Sequence, residues 1–212
     1  APRYGPKMTA LDIKHHLTDE LIMAYSAGAL PEAVNLIVAT HISLCDECRA
    51  AVEAYDAIGG NVLDMAETVA VSDDCLSGAL DLIRTSAWSA PAPEPVKRDP
   101  ILPEPLLDYV GGSLEDVNWK PLGMGVKHAL LPTSSDATAR LLYIPAGTAM
   151  PDHGHRGLEL TLVLKGAFED ADGYFARGDI EIAQEDLHHT PIADISEDCI
   201  CLAVTDAPLR FK

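Results

Sequence analysis

Along residues 1–90 the apolar side chains recur at spacings of three and four, the period of one face of a helix. Thr18 can cap a helix whose first turn holds Asp19 and Glu20, whose apolar stripe is Leu21, Ile22 and Tyr25, and which stops near Gly28. Pro31 suits the first position of a second helix, continued by Val34, Ile37, Val38, His41 and Ile42. A third helix is expected after Cys45, ending at Gly59-Gly60. A fourth is expected from Asp73 or Asp74 to about Trp88, with Leu76, Leu80, Ile83 and Ala87 on one stripe. Past residue 105 the grammar changes. Residues 140–144, 158–164, 179–182 and 199–204 are short, alternating or wholly apolar runs set between Gly, Pro and Asp turns, the pattern of a β-sandwich or barrel. The two patterns meet at PAPEPVKRDPILPEP, residues 91–105, where six prolines favour an extended spacer that belongs to neither core. The expected fold is therefore multidomain α and β: a small all-α domain over 8–90, a Pro-rich linker over 91–105 and a β domain over 106–212.

Charge narrows the partners. The 212 residues carry 15 Lys and Arg against 33 Asp and Glu, a formal net charge of −18. Both halves are acidic, with 5 basic and 13 acidic side chains in residues 1–90 and 8 and 18 in residues 101–212. Such a chain is not built to neutralise phosphates, so nucleic acid is not expected as a direct partner. No run approaches the about 20 apolar residues of a membrane span. Residues 1–7 do not read as a signal peptide and are set aside, the native start being expected at Met8. With five cysteines, an odd number at positions 45, 48, 75, 199 and 201, this points to the reducing cytoplasm. Cys75 is expected to be a small buried residue of the fourth helix. Cys199 and Cys201 flank Ile200, and core packing inside the β domain is expected for both.

Two constellations carry metal chemistry. In His41-Ile-Ser-Leu-Cys45-Asp-Glu-Cys48 an imidazole precedes two thiols at spacings of four and three, so on helical backbone all three share a face. Imidazole plus thiolate in a tetrahedral array favours zinc. The fourth ligand would come from His15 or His16, about one helix hairpin upstream, and spacing does not choose between them. In the β half, Gly147 to Gly166 reads G-x5-H-x-H-x3-E-x6-G, carrying His153, His155 and Glu159. A further histidine, His188 or His189, returns after Gly178. Three imidazoles and a carboxylate suit zinc, iron, manganese or nickel.

The helical run HHLTDELIMAYSAGALPEAVNLIVATHISLCDECRAAV resembles the zinc-binding anti-sigma domain of the ChrR family. The later histidine spacing resembles the first cupin motif, while the Gly178 to His189 stretch resembles the second only in its glycine and its late histidine. The ChrR likeness spans nearly the whole chain, with PDHGHRGLELTLVL and GDIEIA among its densest matches. It implies a zinc ion on His16, His41, Cys45 and Cys48. Through HHTP it implies a second metal on His153, His155, Glu159 and His189 of a cupin jelly roll. It further implies no catalytic residue, an extracytoplasmic-function sigma factor as partner, and release of that factor on singlet-oxygen stress, with the cupin needed for release. The chain stops at Lys212, sooner than the family leads one to expect. The alternative is a metal-dependent cupin dioxygenase whose helical half is a dimerisation cap, and a third reading is a zinc-storage module.

Overall fold

The computed structural model describes residues 11–86, 99–151, 153–154, 157–183, 188–207 and 210–211, with backbone alone at 153–154, 188–189 and 210–211. The helices are α1 (Asp19–Ser26), α2 (Glu32–Leu44), α3 (Asp46–Asp64), α4 (Cys75–Thr85) and α5 (Glu104–Val110). Thr18 caps α1 by accepting the Leu21 N–H at 3.4 Å, and Gly28 leaves that helix at φ +65°. Pro31 stands just before α2 as its N-cap. Two expectations are corrected. Helix α3 runs through Gly59-Gly60 to Asp64, because two glycines in a solvent-facing stretch weaken a helix by about 1 kcal/mol each without breaking it. Cys75 is exposed, because α4 buries none of its residues. Met8, the expected helix end at Ala87 and Trp88, and residues 91–98 of the expected spacer lie outside the described residues.

Among the described residues twelve strands follow: β1 (Lys120–Gly123), β2 (Val126–Leu130), β3 (Thr138–Ile144), β4 (His153–Gly154), β5 (Glu159–Lys165), β6 (Ala167–Glu169), β7 (Tyr174–Ala176), β8 (Ile180–Ala183), β9 (His188–His189), β10 (Ile192–Ala193), β11 (Cys199–Thr205) and β12 (Arg210–Phe211). One six-stranded antiparallel sheet has the order β1-β2-β3-β11-β5-β8, and two three-stranded sheets, β10-β6-β7 and β12-β4-β9, complete the sandwich.

Every residue of β11 is buried, and so is nearly all of β5. A sheet with one face in water would alternate, so both faces must be covered. The parity of the side chains shows by what. Cys199, Cys201 and Val163 pack in the interior of the sandwich with Ile144, Phe168 and Phe175. Leu160, Leu162, Leu164, Ile200, Leu202 and Val204 point the other way, into one continuous core with Leu36, Ile37, Val38 and Leu106. Helix α2 lies on the outside of the sheet, touching β3, β5 and β11, and is therefore buried nearly all round, between α1, α3, α5 and the strands.

Three polar ties pin the two halves together. The Glu32 carboxylate accepts Tyr109 Oη–H at 2.9 Å and the Ser134 N–H at 2.7 Å. Asp179 accepts the backbone N–H groups of Lys14 and His15, and Arg177 donates to the carbonyls of Pro100 and Ile101. Residues 99–105, expected as the end of a free spacer, carry the buried Leu102 and the first turn of α5.

Leu106 is fully buried where α5 meets α2. Leu106→Ala is expected to destabilise the chain by about 2–5 kcal/mol, lowering Tm by roughly 5–15 °C. Ellipticity at 222 nm and tryptophan emission should fall in one superimposable transition, since the core is shared; two separate transitions would contradict it.

Candidate metal centres and their setting

The first centre is built by the junction of α2 and α3. Cys45 ends one helix and caps the next in extended backbone, φ −107° and ψ 109°, and its Sγ accepts the Cys48 N–H at 3.4 Å. His41, one turn back on α2, then faces Cys48, with Nε2 3.3 Å from its Sγ. His16, in the segment before α1, closes the set: its Nδ1 is 3.3 Å from Cys45 Sγ and 3.7 Å from Cys48 Sγ. All four ligand atoms lie within 4.8 Å of one another. Zinc–sulfur bonds of about 2.3 Å and zinc–nitrogen bonds of about 2.0 Å at tetrahedral angles separate ligand atoms by about 3.5 Å, so the donors and their spacing fit. Of the two histidines the spacing left open, the structure brings His16 into the cluster. His15 turns instead to Asp179, with Nδ1 3.6 Å from its carboxylate, and its ring meets Phe175 at 4.3 Å, tilted by 36°.

Burial governs the protons here. It pushes the fully buried His41 imidazole down to about 4, helped by the neighbouring His16, while the Gly178 backbone and the Asp179 carboxylate act in the opposite direction. It pushes the Cys48 thiol up to about 11, against the Leu17 backbone and with Cys45 adding to it. At neutral pH both ligands are therefore uncharged without an ion, and a divalent cation must displace the Cys48 proton to bind. Glu47 Oε2 lies 3.7 Å from His16 Nε2, the outer-sphere carboxylate that often orients a ligating histidine. Sequence reasoning missed it, although Glu47 sits inside the CxxC motif.

In the second constellation, β4 and β9 are antiparallel neighbours with His153 directly opposite His189 and Gly154 opposite His188. His155 lies outside the described residues. Glu159 opens β5, buried, and lines a cavity of about 70 Å³ inside the sandwich. Arg140, Thr161, Glu181, Cys201 and Thr205 share that wall with Leu142, Ile144, Met150 and Phe168. Of the polar wall residues, only Glu159 and Cys201 were singled out from the sequence. The signal for Glu181 was there: it alternates with Ile180 and Ile182, whose side chains lie on the α2 side of the sheet. Cys199 and Cys201 are both buried in the interior core as expected, their sulfurs 3.4 Å apart.

Residues 110–209 match the ChrR cupin-like domain family. The anti-sigma-E factor ChrR of Cereibacter sphaeroides is 56% identical over 203 residues, 95% of this chain and 94% of that protein. The crystal structure of Rhodobacter sphaeroides SigE in complex with the anti-sigma ChrR superposes with a TM-score of 0.80 at 52% identity, covering 91% of this chain and 99% of that one. The likeness covers the helical half and the cupin alike, and on that extent the chain belongs to the ChrR family of anti-sigma factors.

Proposed function

We propose that this protein sequesters an extracytoplasmic-function sigma factor and releases it on singlet-oxygen stress. The observation that carries the reading is an apolar surface left in solvent. Ile58, Val62 and Leu63 at the end of α3, Met65, Val69 and Val71 after it, and Leu76, Leu80, Leu82 and Ile83 on α4 are all exposed, Leu80 at 39% and Ile83 at 72%. The stripe on α4 therefore does not pack into this chain's own core. Each such side chain gains about 1.5–3 kcal/mol on full burial, so the set suits a protein partner. The surrounding charge of −18 gives the field that steers a partner with basic surfaces.

The functional division follows the chain. Residues 8–90 grip the sigma factor and keep it from RNA polymerase, residues 91–105 connect, and residues 106–212 receive the stress signal. His16, His41, Cys45 and Cys48 hold zinc, whose role is to cross-link the α2–α3 junction to the segment before α1. His153, His155, Glu159 and His189 hold a second divalent ion, zinc or another, in the cupin. The protein works in the cytoplasm; no described helix is long and apolar enough to cross a membrane. It is a regulator and not an enzyme: the resemblance to an anti-sigma factor runs through both halves, which leaves the dioxygenase and zinc-storage readings without support of their own.

The test is co-purification of the full-length chain with its co-expressed sigma factor. A one-to-one complex is expected, and recovery of the chain alone would overturn the reading. A Leu80→Asp, Ile83→Asp double variant is expected to weaken the complex about 100-fold or more while keeping its metal content, measured by titration and elemental analysis. Cys45→Ser is expected to lose one metal per chain and the sigma factor with it. His153→Ala is expected to keep inhibition and blunt release under photosensitised singlet oxygen, read from a sigma-dependent reporter; loss of inhibition would refute this division of labour.

A further inference from the structure

One turn of the cupin, residues 177–179 between β7 and β8, holds the segment that leads into His16. Asp179 Oδ1 accepts the N–H of Lys14 at 2.7 Å and of His15 at 2.9 Å, while Oδ2 accepts the Ala176 N–H at 2.8 Å. Ile180 N–H donates to the His15 carbonyl at 3.3 Å, so the segment ahead of His16 is laid against the start of β8. Gly178, at φ +94°, receives Ile13 so closely that a Cβ there would sit 2.7 Å from Ile13 Cδ1. The chain that leads directly into His16 thus rests on Gly178, Asp179 and Ile180.

The turn is in its own right part of the sheet. Gly178 N–H donates to the Val163 carbonyl at 2.9 Å, and Val163 N–H to the Asp179 carbonyl at 3.1 Å. From the cavity wall a run of rings leads to the same place: Phe168 lines the cavity, stacks on Phe175 at 5.0 Å, and Phe175 meets the His15 ring at 4.3 Å, next to His16 in the chain.

We propose that the Arg177-Gly178-Asp179 turn is the positioning element of the His16, His41, Cys45, Cys48 centre, with Asp179 its principal residue, and that a rearrangement at the cupin cavity reaches the sigma-gripping half through it. The proposal rests on the reading of those four side chains as a metal site. A carboxylate taking two backbone N–H groups fixes the segment before His16 more firmly than side-chain packing alone.

The experiment loads the full-length chain with cobalt(II) and follows the sulfur-to-cobalt charge-transfer band during a chelator challenge. Only the first centre has thiolate among its assigned ligands, so the band reports on it and not on the cupin metal. Asp179→Ala is expected to speed the decay about ten-fold or more, and Asp179→Asn, which keeps one carbonyl acceptor, to fall between. Ile13→Ala, which leaves the carboxylate in place, should speed it a few-fold. Asp198→Ala removes a cupin-turn carboxylate bonded to Tyr143 and Ala146, and should decay at the wild-type rate. Phe168→Leu should speed decay in the wild-type background and add nothing on Asp179→Ala. Decay of Asp179→Ala within two-fold of wild type, or equal acceleration by Asp198→Ala, would overturn the positioning role, and additivity of Phe168→Leu would overturn the transmission. A wild-type chain with no such band would overturn the four-ligand reading, and this proposal with it.

Discussion

Helix α2 sits where water cannot reach it from either side, and the rest of the molecule is arranged around that fact. Ala33, Ile37, Val38, Thr40 and His41 are fully or almost fully excluded from solvent, enclosed by α1, α3 and α5 on one side and by the outer face of the six-stranded sheet on the other. Thr40, buried there, is satisfied within the helix by donating to the Leu36 carbonyl at 2.7 Å. The same packing explains the sheet. Strands β5 and β11 are apolar at almost every position because one parity faces the cupin interior and the other faces α2.

The cluster of His16, His41, Cys45 and Cys48 inherits its geometry from this helix. His41 is in the last turn of α2 and Cys45 at its end, so the direction in which α3 departs, and with it Cys48, is set by where α2 is seated. His16 arrives from a segment held by the cupin. An ion bound there would join α2, α3 and the chain entering α1, and a change in the cupin that shifted residues 13–15 would act on one of its ligands. Burial disfavours the charged forms of both the His41 imidazole and the Cys48 thiol.

What the core leaves out is as informative as what it includes. The end of α3 and all of α4 bury almost nothing, yet carry large aliphatic side chains. The net charge of −18 gives that surface a field that favours a basic partner. The anti-sigma function and the division between a rigid, shared core and an exposed apolar arm are two descriptions of one arrangement.

Much of this was legible in the amino-acid order. Periods of three to four before residue 90 and of two after residue 105 specify helices and strands because each element must present one face to a core. The HxxxCxxC spacing is local, so His41, Cys45 and Cys48 could be read as one cluster before any fold was known. Whether His15 or His16 joined them was not local; it is visible only in the fold, where Asp179, 164 residues from His15, accepts the His15 N–H. Helix α3 outran its glycines, and Cys75 stayed in solvent, because neither segment has a tertiary neighbour to enforce the pattern. That the two halves share one core, that Leu102 and Leu106 are buried beyond the proline-rich stretch, and that the cupin cavity collects Arg140 and Glu181 around Glu159 were decided only by tertiary packing. The physical reason is the same in each case: sequence periodicity says that a face is to be buried, and only the fold says against what.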